Sequence, residues 1–326
     1  NVIARGGKRK RGARTLMLNG HLDVVGTEGM NHAPFTPVVT DGLMYGRGSA
    51  DMKSGIAAMC VAARECIVRG IDGEVIIAAV IDEEYESLGT RALLDAGVCA
   101  DAAIITEPTR LAVCPAHRGF AWARVDVRGR AAHGSRYDIG VDAITHAALL
   151  LAELDRVQAR TFPSRTHPLL GRASLHASTI SGGTGLTTYP AACTVEIERR
   201  TIPGEGAQTF LDEIAAAAAM VRNTHPDLEL DVTITTAQGP SDVAIDAPVV
   251  VALRDALQSE KLPVRIEGMS AWTDAALLNA AGIPTICFGP GDISLAHSAT
   301  EYVPVREIEE ATRVLTRFIT AWCVAP

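Results

Sequence analysis

Thr15-Leu16-Met17-Leu18-Asn19-Gly20-His21-Leu22-Asp23-Val24-Val25 is an apolar run of strand type that breaks at Asn-Gly and then sets an imidazole and a carboxylate two residues apart. On extended backbone, side chains two residues apart project to one side, so His21 and Asp23 share a face. A metal-bound histidine usually gives its second ring nitrogen to a carboxylate, and this spacing suits a ligand with its orienting partner. Alone, a His-x-Asp pair at a strand end is more often an ordinary surface polar pair.

Further segments place acids or a histidine where an apolar strand ends or a helix begins. They are Asp51 in Gly46-Arg47-Gly48-Ser49-Ala50-Asp51-Met52-Lys53-Ser54-Gly55, the triplet Asp82-Glu83-Glu84, Glu107 in Ile105-Thr106-Glu107-Pro108-Thr109, and His297 in Leu295-Ala296-His297-Ser298-Ala299-Thr300-Glu301-Tyr302. Two histidines with several carboxylates form a nitrogen and oxygen donor set that suits zinc, cobalt or manganese better than copper or an iron–sulfur centre.

The pattern around these segments alternates strand and helix. Ser54 to Val68 has helical spacing with Gly70 as its stop, Glu74 to Ile81 is an apolar strand, Ser87 to Ala96 a short helix closed by Gly97, and Ala102 to Ile105 another strand. Such alternation predicts an α/β fold with a mostly parallel sheet, whose ligands bind beyond the carboxyl ends of the strands. From about Arg118 the order becomes β-α-β-β-α-β, with strands at Ala121 to Val127, Ala173 to Ile180, Ala192 to Thr201 and Leu228 to Thr235 and helices at Val141 to Val157 and Ala207 to Val221. This predicts a ferredoxin-like α+β domain, residues 116–236, inserted between catalytic-domain segments 1–115 and 237–326. From Pro240 the α/β pattern resumes, with helices at Ala247 to Ser259, Asp274 to Ala281 and Glu307 to Cys323 and strands at Val264 to Glu267 and Pro284 to Phe288.

At 326 residues and 48% hydrophobic content the chain can bury a full core. Its net charge of -8 argues against nucleic acid as a partner, and no apolar run approaches the roughly 20 residues of a membrane span. The seven cysteines are scattered and odd in number, and read as buried free thiols of a reducing cytoplasm. The chain starts at Asn1, inside a strand-like stretch, so an upstream segment is an open expectation. Lys8-Arg9-Lys10-Arg11, bounded by Gly-Gly and Gly, reads as a solvated turn.

With these residues assembled, the chain resembles the acetylornithine deacetylase, succinyl-diaminopimelate desuccinylase and glutamate carboxypeptidase family. The motifs Asn-Gly-His-Leu-Asp-Val-Val, Gly-Arg-Gly-Ser-Ala-Asp-Met-Lys-Ser-Gly, Asp-Glu-Glu, Thr-Glu-Pro-Thr, Arg-Gly-Arg-Ala-Ala-His-Gly-Ser, Arg-Arg-Thr-Ile-Pro-Gly-Glu and Ala-His-Ser-Ala-Thr-Glu-Tyr-Val-Pro occur in family order from Leu18 to the last helix. The resemblance implies two zinc ions, with cobalt or manganese as substitutes, bridged by Asp51. His21 and Glu107 would complete one site, and Glu84 and His297 the other. It implies a cis peptide after Asp51, Glu83 as general base and Asp23 as the carboxylate steadying His21. The bland alternative for Asp82-Glu83-Glu84 is an acidic loop in which Glu84 alone binds metal.

The inserted domain would act as a lid and as the contact of a homodimer. The resemblance assigns His133 to the oxyanion, commonly from the partner subunit, and Arg200 to the substrate carboxylate, with Arg199 as its solvated neighbour; alternation alone does not separate the two arginines. Many relatives have Asn-Val-Ile-Pro where this chain has Thr187-Thr188-Tyr189-Pro190, so an amide contact to the substrate or oxyanion would be either weakened or replaced by Thr187. Asp274 fits a substrate pocket or a helix N-cap equally. His117 is a further candidate for substrate contact, and the remaining histidines read as structural or solvated. The leading expectation is a cytoplasmic hydrolase that removes the acyl group from an N-acyl amino acid. A carboxypeptidase or dipeptidase acting on a short peptide, and a non-catalytic binding protein on the same fold, are the alternatives.

Overall fold

The structure, a computed structural model, describes residues 1–324. The chain forms two compact units: one runs over Asn1–His117 and resumes at Ser241, and the other is Arg118–Pro240.

The first unit is built on an eight-stranded sheet. Strand Thr15–His21 pairs in parallel with Glu74–Val80 on one side and Ala102–Ile105 on the other, and Thr285–Cys287 continues the parallel set. Alternate residues of these strands feed two separate cores. Leu16, Leu18, Val75, Ala102, Ile104 and Ile286 pack under the helices Ser54–Arg69, Pro248–Ser259 and Val305–Trp322. Met17, Ile76, Ala78, Val80, Ala103 and Ile105 face Leu93, Ala275 and Leu278 on the opposite side. A parallel sheet covered on both faces requires strands apolar at nearly every position, as these are. Each fully buried Leu, Val or Ile contributes about 1.5–3 kcal/mol, so the site is carried on the most strongly fixed part of the unit.

The expected fold class holds, and the differences lie at the margins. Val2–Gly6 adds an antiparallel edge to Glu74–Val80. Val113–His117 is a buried strand absent from the sequence reading, joined in parallel by Ile266–Met269 and antiparallel by Ser241–Asp242. A separate small sheet pairs Val38–Thr40, Leu43–Tyr45 and Tyr302–Pro304. Helix Ser54–Arg69 ends at Gly70, whose positive φ of 90° lets its N–H close on Cys66 and Ile67 carbonyls.

The second unit is a four-stranded antiparallel sheet in the order Ser174–Gly182, Ala192–Thr201, Gly119–Arg128, Glu229–Gln238. Helices Ala143–Thr161 and Ala207–Arg222 cover one face of it, burying Ala121, Ala123, Val125, Val127, Val195 and Ile197. Together these give the β-α-β-β-α-β order of a ferredoxin-like unit. The chain's seven cysteines are free, but Cys60 and Cys99 are exposed, which corrects the expectation that the thiols are buried. No helix among the described residues is long and apolar enough to cross a membrane.

Candidate functional site

Three parallel strands deliver the site residues at or just beyond their carboxyl ends. His21 closes Thr15–His21, Glu83 and Glu84 follow Glu74–Val80, and Glu107 follows Ala102–Ile105. Asp51 comes from a tight coil, Ser49–Lys53, that departs from helical backbone at Asp51 and Met52 before the helix at Ser54. The Asp51–Met52 peptide is cis. Gly55 lets that helix start against the Thr106 carbonyl, where any Cβ would collide. His297 follows the short turn Ile293–Leu295, with a positive φ of 61°.

These elements bring five side chains into two adjoining clusters, His21 with Asp51 and Glu107, and Asp51 with Glu84 and His297, each within 4.8 Å. Asp51 belongs to both. Its Oδ1 is 3.0 Å from His21 Nε2 and its Oδ2 is 3.4 Å from His297 Nε2. Glu107 Oε1 stands 3.8 Å from His21 Nε2, and Glu84 Oε2 is 3.1 Å from His297 Nε2.

Asp23 takes a different contact from the one the spacing suggests. His21 Nδ1 lies 3.0 Å from the Asp23 backbone carbonyl and 3.7 Å from its carboxylate. The free Asp23 Oδ2 instead accepts the backbone N–H of Glu84 at 3.1 Å. Asp23 therefore joins the two clusters, orienting the His21 ring through its main chain and the Glu84 loop through its side chain.

The electrostatics follow from crowding acids around two imidazoles. Burial opposes charge on His21, yet Asp23, Asp51, Glu107 and Glu83 outweigh it and hold its pKa well above the ordinary value. His297, facing Asp51 and Glu84, is raised to about 10. Burial raises Asp51 and Asp23, but their histidine contacts prevail and both are held below the usual carboxylate range. Glu83 has no such contact. Burial, then the Glu107 charge, with further contributions from Asp274 and Asp51, pushes its pKa well up. Glu107 is raised by burial and by Asp51 and Glu84.

Two assignments need correction. Asp274 is 1% exposed, with Oδ2 receiving the Thr90 hydroxyl at 2.5 Å, and Thr90 in turn accepts from Asn19 at 3.4 Å. It is closed to substrate contact, and its side chain makes no N-cap bond to the helix Ala275–Ala280. Arg199 is fully buried, not solvated. Its guanidinium forks onto Glu213 at 2.8 and 3.0 Å, reaches Glu205 at 2.9 Å and lies over Phe162. The helices cover the face that Arg199 shares with Ile197, so the half-exposed residue is Arg200, paired with Glu198 at 2.9 Å above the Phe120 ring. His117 is also buried, 2% exposed and edge-on to Trp272.

Within the second unit His133 and Thr187 lie on neighbouring exposed loops: the Gly134 N–H bonds the Thr187 carbonyl at 2.7 Å, and His133 pairs with Thr188. His133 Nδ1 is 2.9 Å from the Ser135 hydroxyl. Sequence reasoning missed Glu301 and Arg47, which are buried behind Asp51. The signal was present, since each stands four residues from a candidate ligand within a quoted motif.

The chain is 29% identical to an acetylornithine deacetylase of Myxococcus xanthus over 99% of its own length and 84% of that protein. It is 26% identical to an N-formyl-4-amino-5-aminomethyl-2-methylpyrimidine deformylase of Bacillus subtilis (strain 168), over 95% of this chain and 79% of that one. Its fold is similar to the aminopeptidase PepT of Bacillus cereus ATCC 10987, with a TM-score of 0.81 at 20% identity, covering 98% of this chain and 83% of the other. A family profile matches residues 17–321, and the chain belongs to Peptidase family M20/M25/M40.

Proposed function

We propose that the chain is a di-metal amidohydrolase that removes the acyl group from an N-acyl amino acid. The observation that carries this reading is Asp51, whose two oxygens face two histidines from opposite ends of the sequence, each histidine backed by its own glutamate. The donors fit a pair of cations. His21 turns Nδ1 to a backbone carbonyl, which leaves Nε2 as the ligating nitrogen. His21, Asp51 and Glu107 would hold one ion, and Asp51, Glu84 and His297 the other, with zinc favoured by the donor set and cobalt or manganese as substitutes. Bound there, such ions supply Lewis-acid polarisation of an amide carbonyl and lower the pKa of a water.

The chain's own residues supply the proton movements. Glu83 sits beside ligand Glu84 without a histidine contact, and burial among acids keeps its affinity for a proton high. Its carboxylate takes a proton from the attacking water and returns it to the departing amine nitrogen. To the second unit the reading assigns three substrate contacts: His133 donating to the developing oxyanion, Arg200 forking onto a carboxylate, and Thr187 offering a hydroxyl. Names of relatives support acyl transfer from nitrogen: two of them are called a deacetylase and a deformylase. The exposed strand Ser174–Gly182, an edge strand paired with Ala192–Thr201, supports a homodimer through the second unit. Free cysteines throughout support a reducing, cytoplasmic setting.

The test is hydrolysis of N-acetyl-L-ornithine, N-succinyl-diaminopimelate, other N-acyl amino acids and simple dipeptides by protein loaded with zinc or cobalt, and by the same protein after chelation. Metal-dependent release of amine from an N-acyl amino acid supports the reading. Cleavage of dipeptides alone moves the assignment to a dipeptidase, and absence of metal binding removes it.

A further inference from the structure

We infer that Glu301 and Arg47 form a buried clamp that sets the position of the shared ligand Asp51, making them positioning residues for the metal pair; the inference rests on the reading of the site given above. Glu301 has no exposed surface, and the Arg47 side chain is 3% exposed. Glu301 Oε1 accepts two backbone N–H groups, from Ala50 at 2.9 Å and from Asp51 itself at 3.1 Å. Its Oε2 receives Arg47 Nη1 at 2.7 Å, and Arg47 Nε donates onward to the Gly26 carbonyl at 3.2 Å.

The need for the clamp arises from the backbone. The coil Ser49–Lys53 leaves helical geometry at Asp51, φ -114° and ψ 95°, so these buried N–H groups have no helical ladder to join. Left without acceptors they would carry the full desolvation penalty of buried, unpaired donors. A neutral acceptor could satisfy them. A carboxylate does more, because its charge-assisted bonds are shorter and stronger, and the arginine that neutralises it comes from the same segment as Asp51. The main chain adds a second tie, with the Gly46 N–H on the Glu301 carbonyl and Tyr302 paired to Tyr45. Glu301 lies four residues after His297, and Arg47 four before Asp51, so the clamp fixes one segment bearing a ligand against the other. That is the relationship that places Asp51 Oδ2 within 3.4 Å of His297 Nε2.

The experiment titrates cobalt into the full chain, Glu301→Ala and Glu301→Gln, reading affinity by chelator competition and the electronic absorption and EPR spectra of the loaded protein. Near-UV circular dichroism first establishes that each variant is folded. The expected result for folded Glu301→Ala is about 10–100-fold weaker binding, the range that loss of a ligand's support gives, with a changed spectrum. Glu301→Gln keeps an acceptor for the two N–H groups and loses the charge, so it should fall between. If Glu301→Ala does not fold, Glu301→Gln carries the test alone. Wild-type affinity and spectrum in a folded variant overturn the inference and leave the pair a structural salt bridge. If the unaltered chain binds no cobalt, the metal reading of the site fails first, and that failure is visible before any variant is compared.

Discussion

Asp51 Oδ2 and His297 Nε2 lie 3.4 Å apart, although one residue precedes the first long helix and the other follows the last strand of the parallel set. This contact makes Asp51 common to both clusters, while Glu107 belongs to one. Asp51→Ala is therefore expected to weaken metal binding at both positions by more than about 100-fold, beyond the effect of removing an orienting group. Glu107→Ala should leave the Asp51–Glu84–His297 position able to hold one ion. Metal content by atomic absorption after gel filtration distinguishes the two. Equal loss from both variants would show that the clusters do not act as separate sites.

Glu83 is adjacent in sequence to Glu84 but has no histidine contact, and burial raises its pKa. Glu83→Gln is expected to keep both ions and the fold while kcat falls by at least about 100-fold, in line with general-base contributions. KM should change little, because the lost proton transfer belongs to the transition state. Near-normal turnover with full metal content would take the role away from Glu83.

Much of this site was legible because its residues sit where apolar runs end. The runs around Leu16, Ile76 and Ala103 are apolar at successive positions, and a strand buried on both faces must be so. Val113–His117 escaped because Pro115 falls inside it, and a proline lacks the N–H a strand interior normally donates. Asp274 was ambiguous because an acid before a short helix has the form of a cap. Only the tertiary fold brings Thr90 to its carboxylate. The alternation of Ala192–Thr201 gave two faces without saying which one the helices cover. Packing of Phe210 and Ile214 on that sheet settles it, and with it the burial of Arg199.

The thiols give a prediction independent of catalysis. Cys60 and Cys99 are exposed and the other five are buried, so a thiol reagent should modify two groups rapidly in the native protein and seven in denaturant. Burial pushes Cys114 and Cys323 from 9.0 up to about 12. A thiol kept neutral by folding stabilises fully below the unfolded value and loses that contribution as pH rises through the folded one. Stability should thus fall between pH 9 and about 12, by up to about 1.4 kcal/mol per pH unit for each thiol. Urea midpoints of Cys114→Ala with Cys323→Ala should show a shallower alkaline slope than the unaltered chain. An identical slope would assign the loss to other groups.

Adjacent arginines on one strand should behave in opposite ways. Arg199 is buried against Glu213 and Glu205, so Arg199→Ala strands two carboxylates in the core and should cost about 3–5 kcal/mol, read from urea unfolding. Arg165, which also reaches Glu213 at 2.6 Å, moderates the loss toward the lower end. Arg200 is half-exposed and its pair with Glu198 is partly open to water, so Arg200→Ala should change stability by less than about 1 kcal/mol. Its effect belongs to substrate: a raised KM for substrates bearing a carboxylate, with unfolding unchanged. A variant of Arg200 that unfolds as readily as that of Arg199 would place both arginines in the scaffold and leave the substrate carboxylate without its proposed partner.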